Sequence, residues 1–404
     1  MRHSKSHWHR GQIAPVALFG VLITSAVLAV MFNTGQKVTE RSLVANAADA
    51  AAYSGAVWTA RHLNFMAYTN RAMIANHVAV GHFISYVSWV RYINDSLEAI
   101  DRITQWIPYV GQYVDLAEQI SQQVRNATEQ AAQITVPLID GWNTNLRAAQ
   151  VEAQASLGLG NLQELMAQTA RAYDADVRVN DDQAIARMPD ELRALLETQM
   201  IAQMAVVPTF VQRYSAGRDG NAMQELVTAS LRSDSDLQRW VSGERGWREN
   251  LLAAQIRKRG STSGSQSANG ADWRAEDQLQ FRTRSLFGWH GWQRVGDHVS
   301  RASAREFDSD YSGVPAYYNV SGRPDDASLR IAVIATKSQS NVATADLLGM
   351  SSTNTPIAVA AVARVEFRRP VGSAFVALGE RRHEYASLFN PFWEAKLAPV
   401  TWSY

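Results

Sequence analysis

The stretch that decides the fold runs from Ile13 to Phe32, IAPVALFGVLITSAVLAVMF, and holds no ionisable side chain. As a helix it is about 30 Å long, the thickness of a bilayer's hydrocarbon core. At about −0.4 kcal/mol for each strongly apolar residue, insertion is favoured by about 4–5 kcal/mol, reduced by the more polar or small positions. Those positions are Pro15, Gly20, Thr24 and Ser25; Pro15 falls in the first turn, where a missing N–H costs little. The preceding MRHSKSHWHR carries Arg2, Lys5 and Arg10 and no acid. A basic flank stays on the cytoplasmic side. The expectation is a cytoplasmic basic tip at 1–12, a transmembrane helix at 13–32, and the remainder outside. A cleaved signal peptide also starts basic and apolar, but its core usually runs about 7–15 residues and an A-x-A site follows. The run here is longer and no such site lies close behind Phe32, which favours an uncleaved anchor.

Beyond the span the helical pattern continues. No strong breaker occurs between Lys37 and Ile107, and Val44, Ala48, Ala51, Gly55, Trp58, His62 and Phe65 recur at helical spacing. The stretch Asn46–Ala56, NAADAAAYSGA, is dense in small residues, which let another helix backbone approach closely. Pro108 with Gly111, and Pro137 with Gly141, predict breaks, and a third helix is expected over about 143–175. Residues 33–180 thus read as a helical stem.

The chain has 404 residues, a net charge of +1 and no cysteine. Near-neutrality removes any whole-chain argument for nucleic acid. The missing cysteines exclude disulfides, thiol nucleophiles and Cys-ligated metal sites. Charged residues are 19%, below the roughly 25% of average soluble chains, and the uncharged span and Ala-rich stem account for this.

The order of these features resembles a known family. RGQIAPVALFGVLI, about a dozen polar residues, and then ANAADAAAYSGA resembles the N-terminal segment of Tad-type (Flp) pilus assembly proteins of the TadE/TadG-like group. Asn46, Ala47, Ala48, Asp49, Ala50 and Ala51 match that group's motif, and Asn46, Ala47, Ala48, Asp49, Ala51 and Gly55 form the expected helix-packing motif. Ser387–Val400, SLFNPFWEAKLAPV, looks like the tail of TadG-like proteins. The resemblance implies a single-pass protein of the bacterial inner membrane whose partners are other pilus or pilin-like subunits. It also implies possible processing between Gly11 and Gln12; processed pilins have Glu five residues after the glycine, where this chain has Val16, so a cut and an uncut N-terminus both stay open. Some TadG-like proteins carry a von Willebrand A domain with a D-x-S-x-S metal site, and this chain has no such motif.

The middle and C-terminal parts predict an α+β exterior. Helices are expected over Asp182–Tyr214, Ala222–Arg232 and Arg245–Arg259, making 181–259 a helical region. Gly260–Gly270, GSTSGSQSANG, reads as a flexible loop and a boundary at 260–272. In the C-terminal domain 273–404, LRIAVIAT (Leu329–Thr336) and IAVAAVARVEF (Ile357–Phe367) read as strands of one small antiparallel sheet. Gln278–Phe287 is an expected third strand, and Tyr385–Leu397 a short closing helix.

Candidate chemistry is sparse. Asp308, Asp310 and Ser312 in DSDYSG have the alternating oxygen spacing that opens some calcium loops, but position twelve is Asn319 and a polar turn is the plainer reading. His77 and His82 are five apart and diverge on a helix; with Asn64, Asn70, Arg71 and Asn76 they form a polar stripe expected to hydrogen-bond between helices. Trp289, His290 and Trp292, with Asp297, His298 and Ser300 nearby, read as an aromatic packing cluster, since no G-x-S-x-G elbow accompanies them. Arg239, Arg245, Arg248, Arg257, Lys258 and Arg259, diluted by Glu244 and Glu249, read as a solvated helix face, with attraction to anionic surface polymers or lipid as the sharper alternative. No Walker A loop and no G-x-G-x-x-G occurs.

The expectation is therefore a membrane-anchored, non-enzymatic component of Tad/Flp pilus assembly or the related secretion apparatus, with no cofactor, nucleic acid or small-molecule substrate. A single-pass envelope receptor or binding module is the alternative, and a hydrolase built around His290 and Asp297 a third.

Overall fold

The computed structural model describes residues 13–104, 111–188, 190, 193, 215–216, 245–250, 254–267, 270–285, 288–295, 299–314, 317–318, 328–342, 344, 356–368 and 388–400. The fold is α+β. One helix, α1 (Ile13–Thr104), carries the apolar stretch 13–32 and the stem without interruption, about 138 Å of continuous helix. α2 (Gly111–Ser156) runs back along it: Glu129 meets Arg91, Asn143 meets Asn76, and Ser156 meets His62. α3 (Leu159–Tyr173) continues past a break at Leu157–Gly158.

The breaks expected at Pro137 and Gly141 do not form, because α2 passes through both. Both residues face solvent, so the N–H that proline lacks is missing on the wet side, where the abandoned carbonyl is open to water. Pro108 lies outside the described residues.

Two antiparallel sheets pack on α1 at different heights. The lower has the order β1 (Arg178–Val179), β10 (Ser328–Lys337), β11 (Ile357–Phe367), β12 (Trp393–Ala398). Its two expected strands pair as read, with Ile331 opposite Ala363 and Ala335 opposite Val359. Val359, Ala361, Ala363, Val365 and Phe367 face α1, while Ala332, Ile334 and Val362 pack with Ile185 of α4 (Asp182–Ala186) on the other face. The period of two therefore buries both faces of the central strands. The closing helix expected over Tyr385–Leu397 does not form among its described residues: Leu388–Phe392 are a turn and its exit, Trp393–Leu397 belong to β12 because they pair with the free edge of β11, and 385–387 lie outside the described residues.

The upper sheet is built on a long hairpin, β4 (Ala254–Ser267) and β5 (Gly270–Ser285), flanked by β3 (Trp247–Asn250) on one side. β6 (Gly288–Trp289), β7 (Gln293–Arg294) and β8 (Ser300–Ser303) pair with β5. A short helix, α5 (Ala304–Phe307), follows, and β2 (Ser215–Ala216) pairs with β9 (Tyr317–Tyr318).

Three sequence expectations fail here. Arg245–Arg259 is not a helix but includes β3 and the start of β4. Gly260–Gly270 is not a flexible loop; through Ser267 it is ladder-paired to β5. Gln278–Phe287 is a strand as far as Ser285, but in this sheet rather than beside Leu329–Thr336. The loop reading failed because the glycines serve packing. A Cβ at Gly264 would stand 2.9 Å from the Trp273 ring, and one at Gly260 would collide with the Asp277 carboxylate. Large cross-strand neighbours occupy the space that glycine leaves. The helices expected over 194–214 and Ala222–Arg232 lie outside the described residues.

Candidate functional site

The lower part of α1 is bare. The large apolar side chains from Val16 to Phe32 are exposed, and the helix is long and apolar enough there to cross a membrane. Burial begins at Val44. Ala47, Ala48, Ala51, Ala52, Gly55 and Ala56 are buried, while Asn46 and Asp49 stay exposed. The small-residue face is filled from within the chain: a Cβ at Gly55 would meet Met166 of α3 at 2.9 Å and Ile331 of β10 at 3.3 Å. Lys337 locks the junction, with Nζ 2.6 Å from both Glu40 of α1 and Asp174 behind α3.

Higher up, the polar stripe of α1 binds segments remote in sequence. Asn64 donates Nδ2–H to the Trp393 carbonyl at 2.8 Å and accepts the Trp393 N–H at 2.9 Å. Asn70 donates to the Leu388 carbonyl, and Arg71 to the Phe389 carbonyl. Asn76 donates to Asn143 of α2. The stripe thus bonds to β12 and its approach as well as to a helix.

His77 is buried with Nδ1 2.8 Å from the Tyr311 hydroxyl, and its carbonyl accepts Trp273 Nε1–H at 2.8 Å. Burial lowers its pKa from 6.5 to about 4, so the ring is neutral. Burial raises that of Tyr311 well above 10, helped by the charges of Asp140, Asp272 and Asp308.

Sequence reasoning missed two buried carboxylates that tie the helices to the upper part of the fold. Asp140 of α2 accepts the backbone N–H groups of Ser312 and Gly313 and the Ser312 hydroxyl at 2.8–3.0 Å. That hydroxyl, a candidate calcium ligand, is thus turned to a carboxylate of the protein, and Asp308 accepts the Asp310 N–H in its own turn. Among the described residues no group of three His, Asp or Glu side chains could hold a metal ion. Asp277 of β5, fully buried, takes Arg245 at 2.9 Å, Lys258 at 2.7 Å and the Ser88 hydroxyl at 2.7 Å. Lys258 is lowered by burial against the opposing pull of Asp277.

Trp289, His290 and Trp292 do not form a buried cluster. Trp289 and His290 are exposed, Trp292 is half-buried, and arginines lie over both indoles. Ser300 instead donates to Asp95 of α1, while Gly11, Gln12, Asp297 and His298 lie outside the described residues.

α2 is oriented against its own hydrophobicity. Its buried side is Ser121, Thr128, Ala132, Val136, Asp140, Asn143 and Gln150. Its exposed side is Tyr113, Leu116, Ile120, Val124, Ile134, Leu138 and Trp142, each between 43% and 77% exposed. These seven recur every three or four residues, or at multiples of that spacing, and mark one stripe about 44 Å long. Gln150 explains part of the inversion, since its amide donates to Thr69 and Asn70 of α1.

Residues 11–58 match the family model for putative Flp pilus-assembly TadE/G-like proteins. The chain carries a Tad segment. No curated protein and no solved structure matches it. The Tad segment covers the exposed span and the first buried turns of the stem, ending three residues beyond Gly55. It ties the chain to Tad/Flp pilus assembly, while the sheets and α2 extend beyond the matched part.

Proposed function

We propose that the protein is a non-enzymatic, single-pass subunit of the Tad/Flp pilus assembly apparatus, with residues 13–32 in the inner membrane and the two-sheet body outside. The basic residues before the span support this orientation. The observation that carries the reading is the Tad segment fused without a break to a helix that organises both sheets. Such a continuous rod holds the exterior body at a fixed height above its anchor.

The surface offered to other subunits is the inverted stripe of α2. The small-residue face around Asn46–Gly55 is already occupied by α3 and β10, so it is not the contact surface. The stripe is straight, helix-periodic and antiparallel to a helix that stands on the membrane. It fits a helix of another pilus-assembly subunit rising from the same bilayer. Burying seven such side chains removes enough apolar area to sustain a standard interface of about 800 Å² per partner.

The test replaces Leu116 and Leu138 by lysine, positions whose exposure leaves the fold of the chain unaffected. Cells carrying the double variant should make the protein at the normal level and lose surface pili. Piliation equal to wild type would remove the α2 interface. Unchanged pili after deletion of the whole gene would remove the assembly role itself.

A further inference from the structure

The outer face of the upper sheet carries an unusual charge pattern. Ladder pairing places Arg248 opposite Arg257, Arg257 opposite Gln280, and Gln280 opposite Arg294. Strand alternation adds Arg259, Arg282 and Arg284 to the same face. The opposite face, with Lys258 and Asp277, is the one turned to α1. All six arginines are exposed or half-buried, and among the described residues none has a carboxylate at salt-bridge distance. Six guanidiniums without counter-charge repel one another. Desolvation, together with the charges of Arg259, Arg248 and Arg282, pushes the Arg257 guanidinium below the ordinary arginine value.

The sheet nevertheless holds these groups in place. Arg257 donates Nε–H to Gln280 at 2.8 Å, and Arg282 donates Nε–H to Gln255 at 2.6 Å. Trp292 lies under Arg257, Arg282 and Arg248 at 4.0, 4.7 and 5.5 Å from its ring centre. Trp289 lies under Arg282 at 4.9 Å and Arg284 at 5.8 Å. Cation–π contact fixes the guanidinium planes, and bonding through Nε leaves their terminal NH2 groups for an outside acceptor. This is a preorganised surface for repeated anions, and the Trp292 ring, half-buried beneath three guanidiniums, is taken up by them rather than open to stacked bases.

The height of the face narrows the source. Lys258 stands over Tyr92, about 60 residues and about 90 Å of helix beyond Phe32. Headgroups of the anchoring bilayer are out of reach at that distance.

We propose that the outer face of β3, β4, β5 and β7 is a binding site for an acidic polysaccharide, gripped by guanidinium pairs on its carboxylate or phosphate groups. The choice of a glycan over other polyanions rests on the exterior placement proposed above; binding itself does not, and can be measured whether or not pilus assembly depends on this protein.

The full chain in neutral-lipid nanodiscs is titrated with polygalacturonate, with neutral dextran as control. Parallel titrations use a single-stranded oligonucleotide of matched charge and vesicles containing phosphatidylglycerol. Polygalacturonate should bind, weaken with salt, and weaken about tenfold or more in the triple variant Arg257→Gln/Arg282→Gln/Arg284→Gln, which removes three charge-assisted contacts. Dextran should not bind. If the glutamine variant does not fold, the corresponding triple lysine variant retains charge and should still bind several-fold more weakly, because an ammonium cannot make the planar paired contact. Equal binding by a folded glutamine variant or by the lysine variant overturns the proposal, as does absence of polygalacturonate binding. Tighter binding of the oligonucleotide or the vesicles than of polygalacturonate also overturns it.

Discussion

The indole of Trp273 lies against the backbone of Gly81: a Cβ at position 81 would stand 2.7 Å from its Cε2 atom. The same indole donates Nε1–H to the His77 carbonyl one turn earlier. Upper sheet and stem are therefore joined by a ring that needs glycine beneath it. Alanine at an exposed helix interior gains about 1 kcal/mol over glycine. Here Gly81→Ala should instead destabilise, because overpacking a buried aromatic costs about 1–3 kcal/mol. Trp273→Ala should cost about 3–5 kcal/mol. Denaturant unfolding of the full chain in detergent reads both, and a more stable Gly81→Ala protein would contradict the packing.

His77 gives the junction a pH dependence. Its pKa is about 4 when folded and 6.5 as the ordinary value. The unfolded chain therefore binds a proton that the folded chain refuses. The contribution of the neutral ring is intact above about pH 6.5 and is lost as pH falls from there through about 4, up to about 3 kcal/mol. His77→Gln should flatten the stability profile across that window. A wild-type profile with no slope between pH 6.5 and 4 that this substitution alters would refute the assignment.

Asp277 faces two cations in a site without water access. Asp277→Asn leaves Arg245 and Lys258 buried without a carboxylate and should cost about 3–5 kcal/mol. Lys258→Met keeps the Arg245–Asp277 pair and should cost clearly less. Thermal unfolding of the two variants orders them, and an Asn variant as stable as the Met variant would show that the triad carries little.

The apolar helix at 13–32, the unbroken helix beyond it and the β10–β11 pairing were legible because each is a pattern sustained over many residues. The errors share a cause. At Gly260–Gly270 the composition suggests chain entropy, whereas Gly260 and Gly264 answer neighbours 17 and 9 positions away on β5. At Arg245–Arg259 the charges suggested a helix face; the alternation of Arg257 and Arg259 with Lys258 becomes visible only once Asp277 is known to take the lysine. The polar stripe of α1 was recognised as needing partners, but its partners at Trp393, Leu388 and Tyr311 are more than 200 residues away. Local pattern carries no information on such pairings. The inversion of α2 was present in its sequence as an apolar stripe; its outward direction is decided by Asp140, Asn143 and Gln150 finding bonds on α1 and the 311–313 turn.

Asn64 performs a role usually taken by a strand. β12 has β11 on one side only, and the other side of Trp393 meets the Asn64 amide, which donates to its carbonyl and accepts its N–H. The side-chain amide reproduces a peptide group, so both bonds form at once. Asn64→Leu removes them and leaves two half-buried backbone groups unpaired, a cost of about 1–3 kcal/mol. Asn64→Asp keeps the acceptor but places carboxylate oxygen against the Trp393 carbonyl, so at neutral pH it should be at least as damaging despite its closer shape. The effect should be local. Hydrogen exchange at the Trp393 amide should accelerate in both variants, while the β10–β11 amides, held by a ten-residue ladder, keep their protection. Acceleration spread evenly over the lower sheet would mean that Asn64 supports the sheet as a whole rather than its edge.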